Sequence, residues 1–198
     1  LINASSAATL DNLDTQGGGG LTLSAWIYPR TSPGAGTQDT ILQKSDDDPN
    51  SPNGGWMCSL DTDRPSFGKN YSTTNLAAWT DPSQPYGKIF MYMWQYVAVT
   101  WDGSSSYSNV KFYVNGTLYT GTCPSCTNGA GSKNSDASQN LLMGNNIWQN
   151  NQRAFDGRID EVRVSNVVRS AQWIATEYNN TARPNLFVSN GTKEPPCG

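Results

Sequence analysis

The chain has 198 residues, of which 15% are charged, and its formal net charge is −3 with a pI near 4.8. This charge balance provides no basic surface for a phosphate backbone, so nucleic acid is excluded as an expected partner. No apolar run approaches the roughly 20 residues that a membrane-spanning helix requires, so membrane insertion is not expected. The length is sufficient for one large domain with a single core.

The first half of the chain is patterned as β-strands. In residues 21–28, Leu23, Ala25 and Ile27 share one side, while the other side also carries aromatic bulk. Because both faces are apolar, this strand is predicted to be central. Further strands are predicted at residues 1–4, 40–44 and 55–61, and within 63–79.

The second half repeats this pattern. In residues 92–101, Val97, Val99 and Trp101 share a face. A hairpin is predicted at Asn115-Gly116, because both residues tolerate positive φ. Further strands are predicted at residues 110–114, 117–119, 141–144, 155–164 and 185–188.

One helix is predicted after the strand that ends at Ser165. Ser170 is a suitable N-cap, because its hydroxyl can accept a free backbone N–H of the first turn. Ile174 and Tyr178 are four residues apart, with Trp173 beside them, and form an apolar stripe that must pack against a larger body. Roughly ten to twelve strands and one helix predict an all-β, two-sheet antiparallel jelly-roll sandwich with a short C-terminal helix.

The expected domain covers residues 1–191, and residues 192–198 are expected to be a tail or the start of a linker. Cys123 and Cys126 lie in a Gly/Ser/Asn-rich loop and are predicted to form a local disulfide in an oxidising compartment. A zinc site at this pair would need two more ligands, and the chain has no His. Cys58 is expected to be a small buried apolar residue, and the pairing of Cys197 stays open.

Several segments share one family's motifs in the same order. They are GRIDEVRV at 157–164, RSAQWIATEYNN at 169–180, LTLSAWIYP at 21–29, WQYVAVTWDG at 94–103 and FYVNG at 112–116. Together they resemble bacterial laminin-G-like domains of the concanavalin A-like lectin/glucanase superfamily. The resemblance implies the fold but leaves the function open, because that superfamily contains lectins, glycanases, adhesion modules and spacers.

The resemblance also implies a structural calcium ion, with Asp160 at the position of its carboxylate ligand. Calcium takes six to eight oxygens, so backbone carbonyls and a neighbour such as Asn3 would have to join Asp160. Asp46 and Asp48 form a second candidate cluster, for which a solvated loop is the alternative. The alternative for Asp160 is pairing with Arg158 or Arg163.

The sequence does not favour catalysis. The superfamily's glycanases carry a Glu-x-Asp-x-x-Glu strand, and no such segment is present. Asp160 and Glu161 are adjacent, so a regular strand directs them to opposite faces instead of pairing them. The absence of His excludes Ser–His and Cys–His nucleophiles, while a lyase using Tyr with Lys or Arg stays possible.

A glycan-binding module is the preferred interpretation, because sugars are bound by aromatic faces together with amide and carboxylate groups. Trp56, Trp79 and Trp148 lie at junctions of loops and strands, and Asn146 lies near Trp148. These four residues are the predicted carbohydrate-binding set. The alternative for each Trp is that it packs against its own loop. The other tryptophans in alternating strands, Trp26, Trp94 and Trp101, are expected to pack in the core or against the sheets.

Three functions follow. The preferred one is an extracellular, non-catalytic module of a larger secreted or cell-surface protein that binds a polysaccharide or other glycan. The second is a structural or adhesion module that binds protein partners, and the third is a polysaccharide-active glycoside hydrolase or lyase.

Overall fold

The computed structural model describes residues 1–34, 37–45, 54–81, 87–119, 123, 125–146, 153–187 and 191. The strands are β1 (Ile2–Asn3), β2 (Leu21–Pro29), β3 (Gln38–Lys44), β4 (Trp56–Asp61), β5 (Arg64–Lys69), β6 (Leu76–Trp79), β7 (Gln95–Trp101), β8 (Lys111–Val114), β9 (Thr117–Leu118), β10 (Leu142–Met143) and β11 (Gly157–Ser165). The helices are α1 (Ala171–Ala182) and α2 (Pro184–Phe187), and short 3-10 turns occur at Leu13–Thr15 and Tyr107–Asn109.

The strands form two antiparallel sheets that face each other. Sheet A has six strands in the order β1-β10-β3-β4-β5-β6, and sheet B has five in the order β11-β2-β7-β8-β9. Many neighbours in a sheet are distant in sequence, as expected for jelly-roll connections. The predicted two-sheet sandwich is therefore confirmed.

The core lies between the sheets, where alternate side chains of each strand meet. Ile27 of β2, Leu60 of β4 and Trp101 of β7 have no exposed surface. Cys58 belongs to the same cluster, and burial raises the pKa of its thiol to about 12. The prediction that Cys58 is a buried apolar residue is confirmed. No helix in the described ranges is long and apolar enough to cross a membrane.

Helix α1 covers part of the outer face of sheet B. Ser170 is its N-cap, and its hydroxyl accepts the backbone N–H of Trp173 at 3.2 Å. Ile174 is fully buried, and the Tyr178 ring stacks on Trp26 with 5.8 Å between centroids. These contacts confirm the predicted cap and the stripe formed by Ile174 and Tyr178. Trp173 lies outside the stripe, where its ring packs against the Arg169 guanidinium at 4.7 Å.

Glu177 is the polar residue that joins α1 to sheet B. Its side chain is 7% exposed, and its carboxylate accepts from the Ser24 hydroxyl at 3.0 Å and from the Arg163 guanidinium at 2.6 Å. The sequence pattern did not predict this contact. It fixes the rotation of the helix on the sheet.

Two buried lysines hold the N-terminal loop and residues 133–139 against sheet A. Lys44 Nζ, at the end of β3, donates to Asp11 Oδ1 at 2.9 Å. It also donates to the backbone carbonyls of Asp136 and Gln139, each at 2.7 Å. Lys69 Nζ lies 3.3 Å from Asp14 Oδ2, and both side chains are almost completely buried. We call these residues the buried ionic cluster.

The predicted strand at residues 185–188 is wrong over the part that the structure describes, because Pro184–Phe187 forms α2. Proline has a fixed φ that suits the first position of a helix, so Pro184 favours helix over strand. The Asn115-Gly116 hairpin is confirmed, with φ of 50° and 75°.

Candidate functional site

Trp79 is the predicted carbohydrate-binding residue that, among those the structure describes, lies at an open surface. It ends β6, which is an edge strand of sheet A, and its side chain is half-buried. Its backbone N–H points to Cys126 Sγ at 3.2 Å, and its neighbour on β5 is Ser66. Two cavities have Trp79 in their walls.

The larger cavity has a volume of about 460 Å³ and lies between β6 of sheet A and strands β8 and β9 of sheet B. We call it the aromatic cleft. Tyr107 and Tyr119 line it together with Trp79, and Ser108 and Lys111 add polar groups. The remaining lining residues are Ala78, Val110, Phe112, Leu118, Cys123 and Cys126. The cleft thus combines aromatic surface with a few hydrogen-bonding groups.

Hydrogen bonds and a disulfide fix the walls of the cleft. The Tyr119 hydroxyl accepts the backbone N–H of Asp81 at 2.9 Å. Cys123 and Cys126 form a disulfide with 5.5 Å between their Cα atoms, as predicted. Thr127 then pairs with Ala77 of β6 in a β-bridge. A cleft with fixed walls loses little entropy when it binds a ligand.

The smaller cavity lies on sheet A and has a volume of about 180 Å³. Trp79 contributes to its wall, which combines polar and apolar side chains. The hydroxyls of Ser59 and Ser66 lie 2.7 Å apart, and Asn70 and Asn75 also line the cavity. The two cavities therefore meet at one indole, and each combines apolar surface with a few hydrogen-bonding groups.

The structure describes three of the four predicted carbohydrate-binding residues and does not bring these three together. Trp56 has no exposed surface and packs in the core, so its predicted role as a surface platform is wrong. The alternation of β4 directs it inward with Cys58 and Leu60. Asn146 also has no exposed surface, so it is not a surface sugar ligand. Trp148 lies outside the described residues.

The sequence did not single out Tyr107 and Tyr119, which lie far from Trp79 along the chain. It also assigned Trp94 to the core or the sheets, whereas 41% of this residue is exposed. Trp101 is fully buried and Trp26 packs under α1, as expected. The signal that could have identified Trp94 is its place in FMYMW, residues 90–94, a run of large side chains without polar alternation.

The proposed metal ligands are only partly described. Asp160 is exposed on β11, and its Oδ1 accepts the backbone N–H of Glu161 at 2.8 Å. Asn3 is exposed on β1, and its Oδ1 accepts the backbone N–H of Ser5 at 2.8 Å. Asp46 and Asp48 lie outside the described residues. The described ranges contain no group of three or more His, Cys, Asp or Glu residues that could hold a metal ion, so any calcium at Asp160 would depend on carbonyl oxygens.

One carboxyl group has the pKa of a possible acid catalyst. Burial and the nearby charge of Asp156 raise the pKa of Asp39 to about 6. A raised pKa identifies a catalytic carboxyl only when the group lies in a cleft. Asp39 lines neither of the two cavities at Trp79. Its pKa is therefore a consequence of burial on β3 and does not define an active site.

Comparison with known proteins agrees with this architecture. Residues 3–175 match the family model described as the Concanavalin A-like lectin/glucanases superfamily. The chain therefore belongs to this superfamily, which confirms the resemblance seen in its motifs. No curated protein matches the chain significantly.

Three solved structures show the same fold. The binding domain of botulinum neurotoxin serotype G has a TM-score of 0.62 at 14% identity, over 92% of this chain and 41% of that one. The binding domain of Paraclostridial Mosquitocidal Protein 1 has a TM-score of 0.57 at 16% identity, over 83% of this chain and 38% of that one. A protein from Bacteroides ovatus, named for a proposed carbohydrate-binding role, has a TM-score of 0.51 at 16% identity, over 79% of this chain and 40% of that one.

Proposed function

We propose that this chain is an extracellular, non-catalytic module that binds a glycan through the aromatic cleft. The observation that carries the proposal is the convergence of Trp79, Tyr107 and Tyr119 on one open cavity. Aromatic faces stack on the C–H faces of sugars, and nearby polar groups orient the hydroxyls. The carbohydrate-binding role in the name of the Bacteroides ovatus neighbour supports the same class of ligand.

The location outside the cell has separate support. The disulfide between Cys123 and Cys126 is of the kind that persists in an oxidising compartment. A secreted or cell-surface module would meet polysaccharides there, and a larger protein would carry the module to them.

The first prediction is that Trp79→Ala weakens glycan binding at least tenfold, about 1.4 kcal/mol. The reason is that the substitution removes a stacking surface shared by both cavities. Affinity electrophoresis and calorimetry with a panel of soluble polysaccharides measure the loss. The wild-type affinity is expected in the micromolar to millimolar range, on the order of −4 to −8 kcal/mol.

Trp173→Ala is the matched control, because Trp173 is also a partly exposed indole but lies on α1 and does not line the cleft. Its binding should equal that of the wild type. The proposal is wrong if no glycan in a broad panel binds, or if Trp79→Ala binds as the wild type does. Release of sugar products by the purified protein would instead place the chain among the enzymes of its superfamily.

Calcium at Asp160 is a second proposal, and it rests on the exposed carboxylate on β11. An ion that binds only the native state raises the melting temperature. We expect millimolar calcium to raise the melting temperature of the wild type, chelator to reverse the rise, and Asp160→Asn to abolish it. Magnesium at the same concentration is the control. The site is absent if calcium leaves the wild-type melting temperature unchanged.

A further inference from the structure

A second aromatic surface lies on the outer face of sheet B, beside the end of α1. Tyr28 of β2 pairs in register with Arg158 of β11. The Arg158 guanidinium lies 5.7 Å from the Tyr28 ring centroid, and the Trp94 ring lies 5.7 Å from the same ring. We call Arg158, Tyr28 and Trp94, with the neighbouring Tyr92, the Tyr28 platform.

Helix α1 covers the adjacent part of this face. Two residues before Tyr28 on β2, Trp26 packs against Tyr178 and donates its Nε1–H to the Thr181 hydroxyl at 3.0 Å. The helix ends at Ala182. The Trp94 ring, which contacts Tyr28, is 41% exposed, and Tyr92, two residues before Trp94 in the chain, is 67% exposed.

Hydrogen bonds hold residues 90–95, the segment that carries Tyr92 and Trp94, in place. The Gln95 side chain accepts the backbone N–H of Phe90 at 3.0 Å and donates to the Phe90 carbonyl at 2.7 Å. Tyr92 donates its backbone N–H to Pro29 at 2.7 Å and has a φ of 60°, which is uncommon for a residue with a bulky side chain. A strained backbone held by specific hydrogen bonds is typical of binding sites. The aromatic side chains are thus presented to solvent by a defined backbone.

The charge at this platform indicates the kind of ligand. Arg30 is paired with Asp156, and Arg163 is paired with Glu161 and Glu177. Arg158, by contrast, has no ion pair with any described residue, although the whole chain has a net charge of −3. A guanidinium without a carboxylate partner can bind a ligand carboxylate through two parallel hydrogen bonds.

We propose that the Tyr28 platform binds a polysaccharide chain that contains uronic acids. Trp94 and Tyr92 stack on sugar rings, and Arg158 pairs with a uronate carboxylate. The Tyr28 and Trp94 rings are tilted by 57° to each other, so they suit a single twisted chain better than the flat surface of a crystalline polysaccharide. This site is separate from the aromatic cleft and does not depend on glycan binding at Trp79.

The test measures binding to polygalacturonate, dextran and dextran sulfate by calorimetry at two salt concentrations. Wild-type protein is expected to bind polygalacturonate at least tenfold more tightly than dextran, and more weakly as salt rises. Trp94→Ala and Arg158→Gln should each weaken polygalacturonate binding at least tenfold. Trp79→Ala tells the two sites apart: a loss of polygalacturonate binding in Trp79→Ala but not in Trp94→Ala or Arg158→Gln assigns this ligand to the aromatic cleft and overturns the proposal for the platform.

Matched controls come from Arg169 and Trp173, which pack against each other at the start of α1. Trp173→Ala and Arg169→Gln remove the same side-chain types and should bind polygalacturonate as the wild type does. Circular dichroism and melting curves show that each variant is folded, and Trp94→Phe, which keeps an aromatic face, should retain most of the binding. Equal affinity for dextran and polygalacturonate, or tighter binding of dextran sulfate than of polygalacturonate, overturns the proposal. Wild-type affinity in both Trp94→Ala and Arg158→Gln overturns it as well. So does sedimentation that shows the platform occupied only by a second copy of the chain.

Discussion

Replacing Lys44 with methionine is expected to lower the free energy of unfolding by about 3–5 kcal/mol. The side chain is 1% exposed, and its ammonium group makes three hydrogen bonds within the buried ionic cluster. Methionine keeps an unbranched side chain that is one atom shorter, and it removes the charge and all three N–H donors. Asp136, whose side chain is fully buried, then loses a neighbouring cation 3.5 Å away.

Urea unfolding followed by circular dichroism measures this change. Lys88→Met is the control, because Lys88 also pairs with an aspartate, Asp63 at 2.8 Å, but is 43% exposed. Exposed ion pairs contribute about 0–1 kcal/mol, so the control should unfold close to the wild type. A loss below about 1 kcal/mol in Lys44→Met would show that the cluster can be replaced by apolar packing.

Glu177→Ala is expected to cost about 1.5–3 kcal/mol, because a buried carboxylate that binds a charged donor contributes in that range. The substitution removes both the Ser24 hydrogen bond and the Arg163 ion pair. It should also loosen α1 from sheet B. Urea unfolding measures the change in the free energy of unfolding. In hydrogen exchange, the substitution should accelerate the amides of α1 more than those of the strands.

Glu161→Ala provides the matched comparison for Glu177. Glu161 binds the same arginine, Arg163, at the same distance of 2.6 Å, but its side chain is 49% exposed. Its removal should therefore cost less than about 1 kcal/mol. If Glu161→Ala destabilised the protein as much as Glu177→Ala does, burial would not be the reason for the difference that we expect.

The sequence predicted the local structure and the strands well, because both depend on residues that are close together in the chain. Ser170 at a helix start and Asn115-Gly116 in a hairpin have conformational preferences that do not depend on distant residues. The two-residue alternation of β2 and β7 identified their buried sides. The class of fold followed from these strands and the single amphipathic helix.

The alternation could not show what covers each outer face. Trp26 and Trp94 are both associated with the outer face of sheet B, but α1 packs on Trp26 and ends before it could cover Trp94. Trp173 was misassigned for a similar reason, because a residue in the first turn of a helix can point to either edge of the packed stripe. Whether each of these tryptophans is covered depends on the length of α1 and on its rotation on sheet B. Contacts such as those of Glu177 with Ser24 and Arg163 set this position of the helix.

The aromatic cleft was even less predictable. Tyr107, Tyr119 and Trp79 belong to different segments, and only the meeting of the edges of sheets A and B brings them together. Trp56 shows the opposite error, since its position next to a glycine-rich loop suggests a surface residue although its strand directs it inward.

Because Trp79 forms a wall of both cavities, a change in its χ angles alters two volumes at once. Under the proposed function, a sugar ring that selected one rotamer on the cleft side would also set the width of the cavity on sheet A. The indole would then act as a shared wall, so that a ligand in one cavity would change the volume of the other.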